Sequence, residues 1–253
     1  MPYREKIAGL FLVILVAALQ SLPARADGKL LKQMVHFDQV YIPTLAFTSD
    51  EIVKLSRDAM KSLLPEWNKF RTGYQNSNSI DPQWSTDFDR VDGYISDAQK
   101  IIDSGKNLHD AHEKLESIRI ILMNLRTRNG IDYFIDYLTR FHEPMEKIVL
   151  AAKGKTAETF SENDLEIIRK DLPTAKYLWK QIEDNKFDSN LFEFNASKKI
   201  LLKKLIDDER HALNRLDTTL ERQDKNKIIL AAVGIKPGFA RIFKLFGTFP
   251  GSK

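Results

Sequence analysis

The residues best suited to chemistry lie in one short segment, KNLHDAHEKLESIR, at residues 106–119. His109 and His112 are three residues apart, and Glu113 and Glu116 follow at helical spacing. On an intact helix these side chains form one stripe. Imidazoles one turn apart can share a metal ion that a nearby carboxylate helps to bind. The segment therefore predicts a candidate site for a transition metal, zinc or copper.

A third histidine, His142, follows on the next predicted helix. If two antiparallel helices meet at Gly130, residues equidistant from that turn lie side by side, and His142 and Ile118 are each 12 residues away from it. This register puts His142 about six residues, or roughly 9 Å, from His112 along the helix axis. The candidate metal ligands are therefore His109, His112, Glu113 and His142.

The same pattern also fits the polar edge of an ordinary bundle helix. Glu113 and Glu116 are spaced to form ion pairs with Lys106 or Arg119 on the surface. The paired Glu-x-x-His elements of di-iron bundles are absent, and residues 208–211 supply a single Asp-x-x-His. Metal binding and a solvated helix edge both remain open.

Methionine accompanies histidine at two further places. Met34 lies near His36, and Met145 follows His142, a combination that suits copper or the axial positions of haem. Met145 also fits the apolar stripe of its helix, where it would simply pack. No nucleophile with a neighbouring base, no glycine-rich phosphate loop and no H-E-x-x-H motif occurs, so we expect a protein that is not an enzyme.

Helices must position these residues, because apolar side chains recur in steps of three and four along nearly the whole chain. The segment with the histidines shows this best, with Leu108, Ala111, Leu115, Ile118, Leu122 and Leu125 on one face. Similar stripes run at 84–102 and 134–152, and short turns at Gly105 and Gly130 separate the three segments. Consecutive amphipathic helices with short turns predict an antiparallel bundle.

Flanking segments extend the bundle. Thr48 and Glu51 predict a capping box before a helix that reaches Phe70, and Ser161 is expected to begin another helix. A long helix is predicted from about Asn195 to Arg222, and a shorter one near residue 233. Alternating strand patterns are missing. The predicted fold is all-α, an antiparallel helical bundle of about seven helices, as one bundle or two packed bundles.

Short internal similarities bear on the domain organisation. KIVLAAKG at 147–154 resembles KIILAAVG at 227–234, which allows a partial duplication with units at 27–154 and 155–234. Pro65, Pro144 and Pro173 fall inside the helical patterns. Each proline either bends a helix or marks a helix end that the pattern overruns.

The hairpin sequence VDGYISDAQKIIDSGKNLHDAHEKLESIRIILMNLRTRNG resembles periplasmic four-helix bundles of the cytochrome b562 type over about 40 residues. The resemblance implies a bundle architecture. In that family a methionine on the first helix and a histidine on the last helix hold the haem. The matching helix end here, Thr127 to Asn129, has no histidine, so the haem ligand pattern is absent and haem is a less favoured cofactor than zinc or copper.

The N-terminus has the features of a secretory signal peptide. Arg4 and Lys6 precede an apolar run at residues 7–19, and Ala24 and Ala26 fit a cleavage site before Asp27. We therefore expect a periplasmic or secreted protein. The chain has no cysteine, which excludes disulfides and thiolate metal sites. Removal of residues 1–26 lowers the formal net charge from +4 to +2, a balance that does not favour nucleic acid as a partner.

The tail at residues 235–253 combines basic and aromatic residues. At helical spacing one face carries Phe239, Ile242, Phe243 and Phe246, and Arg241 and Lys244 lie outside it. Such a face suits an interfacial helix on an anionic membrane or a contact with a partner protein. Alternatively it closes the bundle as a final packed helix. The sequence as a whole predicts an exported binding or scaffold protein, with a metal- or haem-binding bundle as the alternative.

Overall fold

The computed structural model describes residues 28–78 and 81–250. Within them the chain is α-helical without a strand, which confirms the all-α class. The described helices are α1 (Gly28–Ser49), α2 (Val53–Tyr74), α3 (Trp84–Ser104), α4 (Leu108–Arg128), α5 (Phe134–Ala152), α6 (Glu162–Asp184), α7 (Ala196–Glu221), α8 (Lys225–Val233) and α9 (Ile235–Lys244). None of these is long and apolar enough to cross a membrane. The predicted signal peptide at 1–26 lies outside the described residues.

The helix termini agree with the sequence in part. Ser161 caps α6, since its hydroxyl accepts from the amide of Asp164 at 3.2 Å and the Asp164 carboxylate accepts from the amide of Ser161 at 2.9 Å. The capping box predicted at Thr48 is wrong. Thr48 belongs to α1 and its hydroxyl donates to the carbonyl of Thr44 at 2.9 Å, whereas α2 begins at Val53 without a side-chain cap.

The prolines lie inside helices rather than at their ends. Pro65, Pro144 and Pro173 are interior residues of α2, α5 and α6, so the helical patterns do not overrun helix ends there. Pro43 lies within α1 in the same way. Each removes one backbone donor from its helix.

One hydrophobic cluster includes residues from all nine described helices. Sequence neighbours α1 and α2, α3 and α4, and α5 and α6 pack against each other most extensively. Gly105 and Gly130, in the turns on either side of α4, have positive φ angles of 68° and 64°. Glycine adopts this conformation at little cost, which explains why it ends these segments.

A buried polar network joins α1, α4 and α5. Arg126 binds Asp136 through two hydrogen bonds, at 2.8 and 2.6 Å. Tyr133 donates to the carboxylate of Asp38 at 2.6 Å, and burial raises the pKa of Asp38 to about 6. Buried charges persist only when they are paired and hydrogen-bonded. The network therefore fixes these three helices relative to one another.

The tail packs on the bundle. Phe239, Ile242, Phe243 and Phe246 are all buried, and the amide of Thr248 donates to the carbonyl of Gln39 on α1 at 2.8 Å. The apolar face of α9 therefore packs against the rest of the bundle. This arrangement favours a final packed helix over a helix that faces a membrane. Arg241 and Lys244 are exposed.

Candidate functional site

A cleft of about 140 Å³ opens between α1, α4, α5 and α9. Its apolar walls come mainly from α1 and α9, and its polar base comes from α4 and α5. The lining residues are Ile42, Leu45, Ala46, Ser49, Asp50, His112, Glu116, Arg119, His142, Lys236, Phe239, Ala240, Phe243 and Lys244. The cleft thus contains two of the three histidines predicted from the sequence.

His112 has a defined tautomer. Its Nδ1 lies 3.1 Å from the carbonyl oxygen of Leu45, which can only accept, so Nδ1 carries the proton. Its Nε2 lies 3.7 Å from Oε1 of Glu116, beyond hydrogen-bond distance. Burial lowers the pKa of His112 below its usual value, so the ring is neutral at pH 7. Its Nε2 therefore has a lone pair that can accept a hydrogen bond.

His142 has the opposite tautomer. Its Nδ1 lies 2.9 Å from Nη2 of Arg119, which can only donate, so Nδ1 accepts and Nε2 carries the proton. Burial, with the positive charges of Arg119 and Lys236 in addition, lowers the pKa of His142 to about 2. This ring is therefore neutral at any pH at which the protein is expected to work.

Arg119 connects the polar groups of the cleft. Its side chain is 4% exposed, and Nη2 donates to both Glu116 and His142. The guanidinium also lies 5.6 Å from the ring centre of Phe243, within the range of a cation–π contact. Its Nε–H is buried and has no acceptor among the described residues. The hydrogen-bonding capacity of Arg119 is therefore incompletely used.

The charges of the cleft do not balance. Glu116 pairs with Arg119, and Asp50 pairs with Lys244 at 3.4 Å. Lys236 also lines the cleft, and within the described residues it makes no ion pair. Because both histidines are neutral, the lining carries one positive charge in excess.

The predicted metal set does not come together. His109 and Glu113 are exposed on α4 outside the cleft, whereas His112 and His142 lie inside it. No group of three or more His, Asp or Glu side chains in the described part of the chain is arranged to hold a metal ion. A guanidinium bonded to His142 also opposes a second cation at that place. Met145 is fully buried, as its packing interpretation expects.

The tail residues contribute to the site from inside the fold. Phe239 and Phe243 form one wall of the cleft, and the ring centre of Phe239 lies 5.4 Å from that of His142. Sequence reasoning did not select Lys236 as a site residue and treated Arg119 as a surface partner. The spacing of Glu116 and Arg119 did indicate their ion pair, but nothing in it showed that Arg119 is buried.

Comparison of the chain with protein-family models, curated protein sequences and solved structures finds no significant match. The resemblance to cytochrome b562-type bundles therefore stays a prediction.

Proposed function

We propose that this chain is an exported, non-enzymatic binding protein and that the cleft between α1, α4, α5 and α9 is its ligand site. One observation carries the proposal: a concave, largely apolar surface meets a polar base in which Arg119 is buried and His112, Glu116 and His142 are half-buried. Ligand sites typically combine apolar walls with a few polar groups that fix orientation. Export rests on the signal-peptide pattern at residues 1–26.

Binding rather than catalysis is supported by the bonding of the two histidines. The Nδ1 lone pair of His142 accepts from Arg119, and Nε2 of His112 makes no hydrogen bond to a hydroxyl in the described residues. A general base needs a reactive group within hydrogen-bond reach. The same bonds hold both rings in fixed orientations, as a preorganised binding site requires.

Cleft occupancy can be tested with a fragment screen monitored by NMR. The five histidines provide an internal readout, since ligands in the cleft should shift the imidazole signals of His112 and His142 and leave those of His36, His109 and His211 in place.

Ala46→Leu should abolish these shifts, because a larger side chain at this half-buried lining position fills the cleft. Ala231→Leu is the matched control, a half-buried helical alanine of α8 outside the cleft. Fragments that shift no cleft histidine, or that bind Ala46→Leu as well as wild type, would contradict the proposal.

Export has a separate test. Protein expressed with its full N-terminus in a bacterial host should be recovered from the periplasm, and its mass should correspond to a chain that begins at Asp27. Recovery of an uncleaved chain in the cytosol would contradict export and leave the cleft proposal unaffected.

A further inference from the structure

The charge arrangement of the cleft allows its ligand to be defined by class. We infer that the cleft binds a small organic monocarboxylate, with the carboxylate between Arg119 and Lys236 and an apolar group against Phe239 and Phe243. This inference rests on the proposed function, because it takes the cleft to be the ligand site.

The negative charge follows from the pairing of the lining residues. Each acid that lines the cleft already has a cationic partner, Glu116 with Arg119 and Asp50 with Lys244. Lys236 forms no salt bridge among the described residues, and its charge acts only at longer range on Glu116, which already pairs with Arg119. One additional negative charge would therefore balance the site, whereas a dianion would introduce an excess of the opposite sign.

A hydrogen-bond acceptor is also missing at the base. Arg119 is almost fully buried, and its Nε–H has no acceptor in the described part of the chain. Burial of an unsatisfied donor is unfavourable, and guanidinium groups match the planar geometry of carboxylates. The proton on Nε2 of His142 gives a second donor beside Arg119, since Nδ1 of that ring accepts from the guanidinium.

The apolar part of the ligand follows from the walls and the size. Ile42, Leu45, Phe239 and Phe243 line the cleft, so an inorganic anion would leave apolar surface exposed to water. A volume of about 140 Å³ is close to that of a cavity that holds one benzene ring. Benzoate and 3-methylbutanoate have the required charge and size.

Calorimetric titration of the purified protein with these two carboxylates tests the inference, with benzamide and sulfate as comparison ligands. Benzamide has nearly the shape of benzoate without its charge, and sulfate has charge without an apolar group. We expect either carboxylate to bind, and to bind at least about tenfold more tightly than benzamide, because a buried guanidinium strengthens charge-assisted hydrogen bonds. Sulfate should not compete.

Lys236→Gln should weaken carboxylate binding by about fivefold and leave benzamide binding unchanged, since an exposed charge contributes modestly. Lys199→Gln is the matched control, because Lys199 is an exposed helical lysine of α7 outside the cleft. It should change neither affinity.

The possible outcomes distinguish the carboxylate inference from the proposal that the cleft is a ligand site. Equal binding of benzoate and benzamide, both shifting His112 and His142 in NMR, would overturn the carboxylate inference and support a ligand site for neutral molecules. Equal effects of Lys236→Gln and Lys199→Gln would also overturn it. Failure of both carboxylates to bind would also overturn the carboxylate inference. If no fragment binds in the cleft, the proposal that the cleft is a ligand site is wrong too.

Discussion

Replacement of Glu209 by glutamine should make the protein more stable, increasingly so as the pH rises. Glu209 lies on α7 with 1% of its surface exposed, and its Oε1 has no hydrogen-bond partner among the described residues. Its carboxyl group lies so close to Gly238 of α9 that a Cβ atom there would overlap with Oε2. Burial raises the pKa of Glu209 from its usual 4.5 to about 8, and Arg215 opposes this shift only in part.

The size of the effect follows from the difference between the two pKa values. The unfolded chain ionises Glu209 near pH 4.5, while the folded protein keeps it protonated up to about pH 8. The stability contributed by the protonated carboxyl is therefore fully present below pH 4.5 and is lost as the pH rises to about 8. At about 1.4 kcal/mol per pKa unit, the loss is on the order of 5 kcal/mol.

Glutamine has nearly the same shape and does not ionise, so Glu209→Gln should lack this loss. Urea unfolding followed by tryptophan fluorescence at several pH values between 4.5 and 9 would give the difference in free energy of unfolding. We expect near equality at pH 4.5 and an advantage of several kcal/mol for the variant at pH 9. Asp38 also titrates in the lower part of this range, but it is present in both proteins and cancels. A difference that stays constant with pH would refute the reasoning.

Two further substitutions test the packing that positions the cleft. Arg126→Ala should lower the free energy of unfolding by about 3–5 kcal/mol in urea titrations, because it leaves the buried carboxylate of Asp136 unpaired; a loss below about 1 kcal/mol would contradict this. Gly238→Ala should destabilise the protein by about 1–3 kcal/mol through overlap with Glu209, and Glu209→Ala in the same chain should relieve the overlap. Gly93→Ala is its control, since no atom lies within 4 Å of the added methyl, and equal effects at the two glycines would exclude the overlap as the cause.

Helical periodicity predicted most of the fold but missed α1. Leu30, Met34, Phe37, Tyr41 and Leu45 step by three and four, which is the helical signal. α1 is buried on several sides, so apolar residues also occupy positions between the steps and the stripe loses contrast. Where a helix has one solvated face, as α3 does, the apolar stripe is clear, and the sequence predicted this helix correctly.

Counting residues from Gly130 placed His142 close to the middle of α4, and in the structure a side chain of α4 contacts it. The prediction named Ile118 as the neighbour of His142, and the contact that the structure shows is the hydrogen bond from the guanidinium of Arg119. Counting along two helices cannot show what covers them. The contribution of α9 to the cleft depends on contacts between residues more than 90 apart in the sequence, such as that of Arg119 with Phe243.

The position of one arginine decides which chemistry the two histidines favour. Two neutral imidazoles near a carboxylate are a common beginning of a metal site, and the sequence around His112 offered that combination. Arg119 donates to both His142 and Glu116. The guanidinium therefore already uses the Nδ1 lone pair of His142 and the carboxylate of Glu116, which a metal ion would need. The same arginine leaves an N–H donor without an acceptor in the described residues, and Lys236 adds a positive charge beside it. Residues that resemble a metal site in the sequence therefore form, once folded, a site whose electrostatics favour an anion.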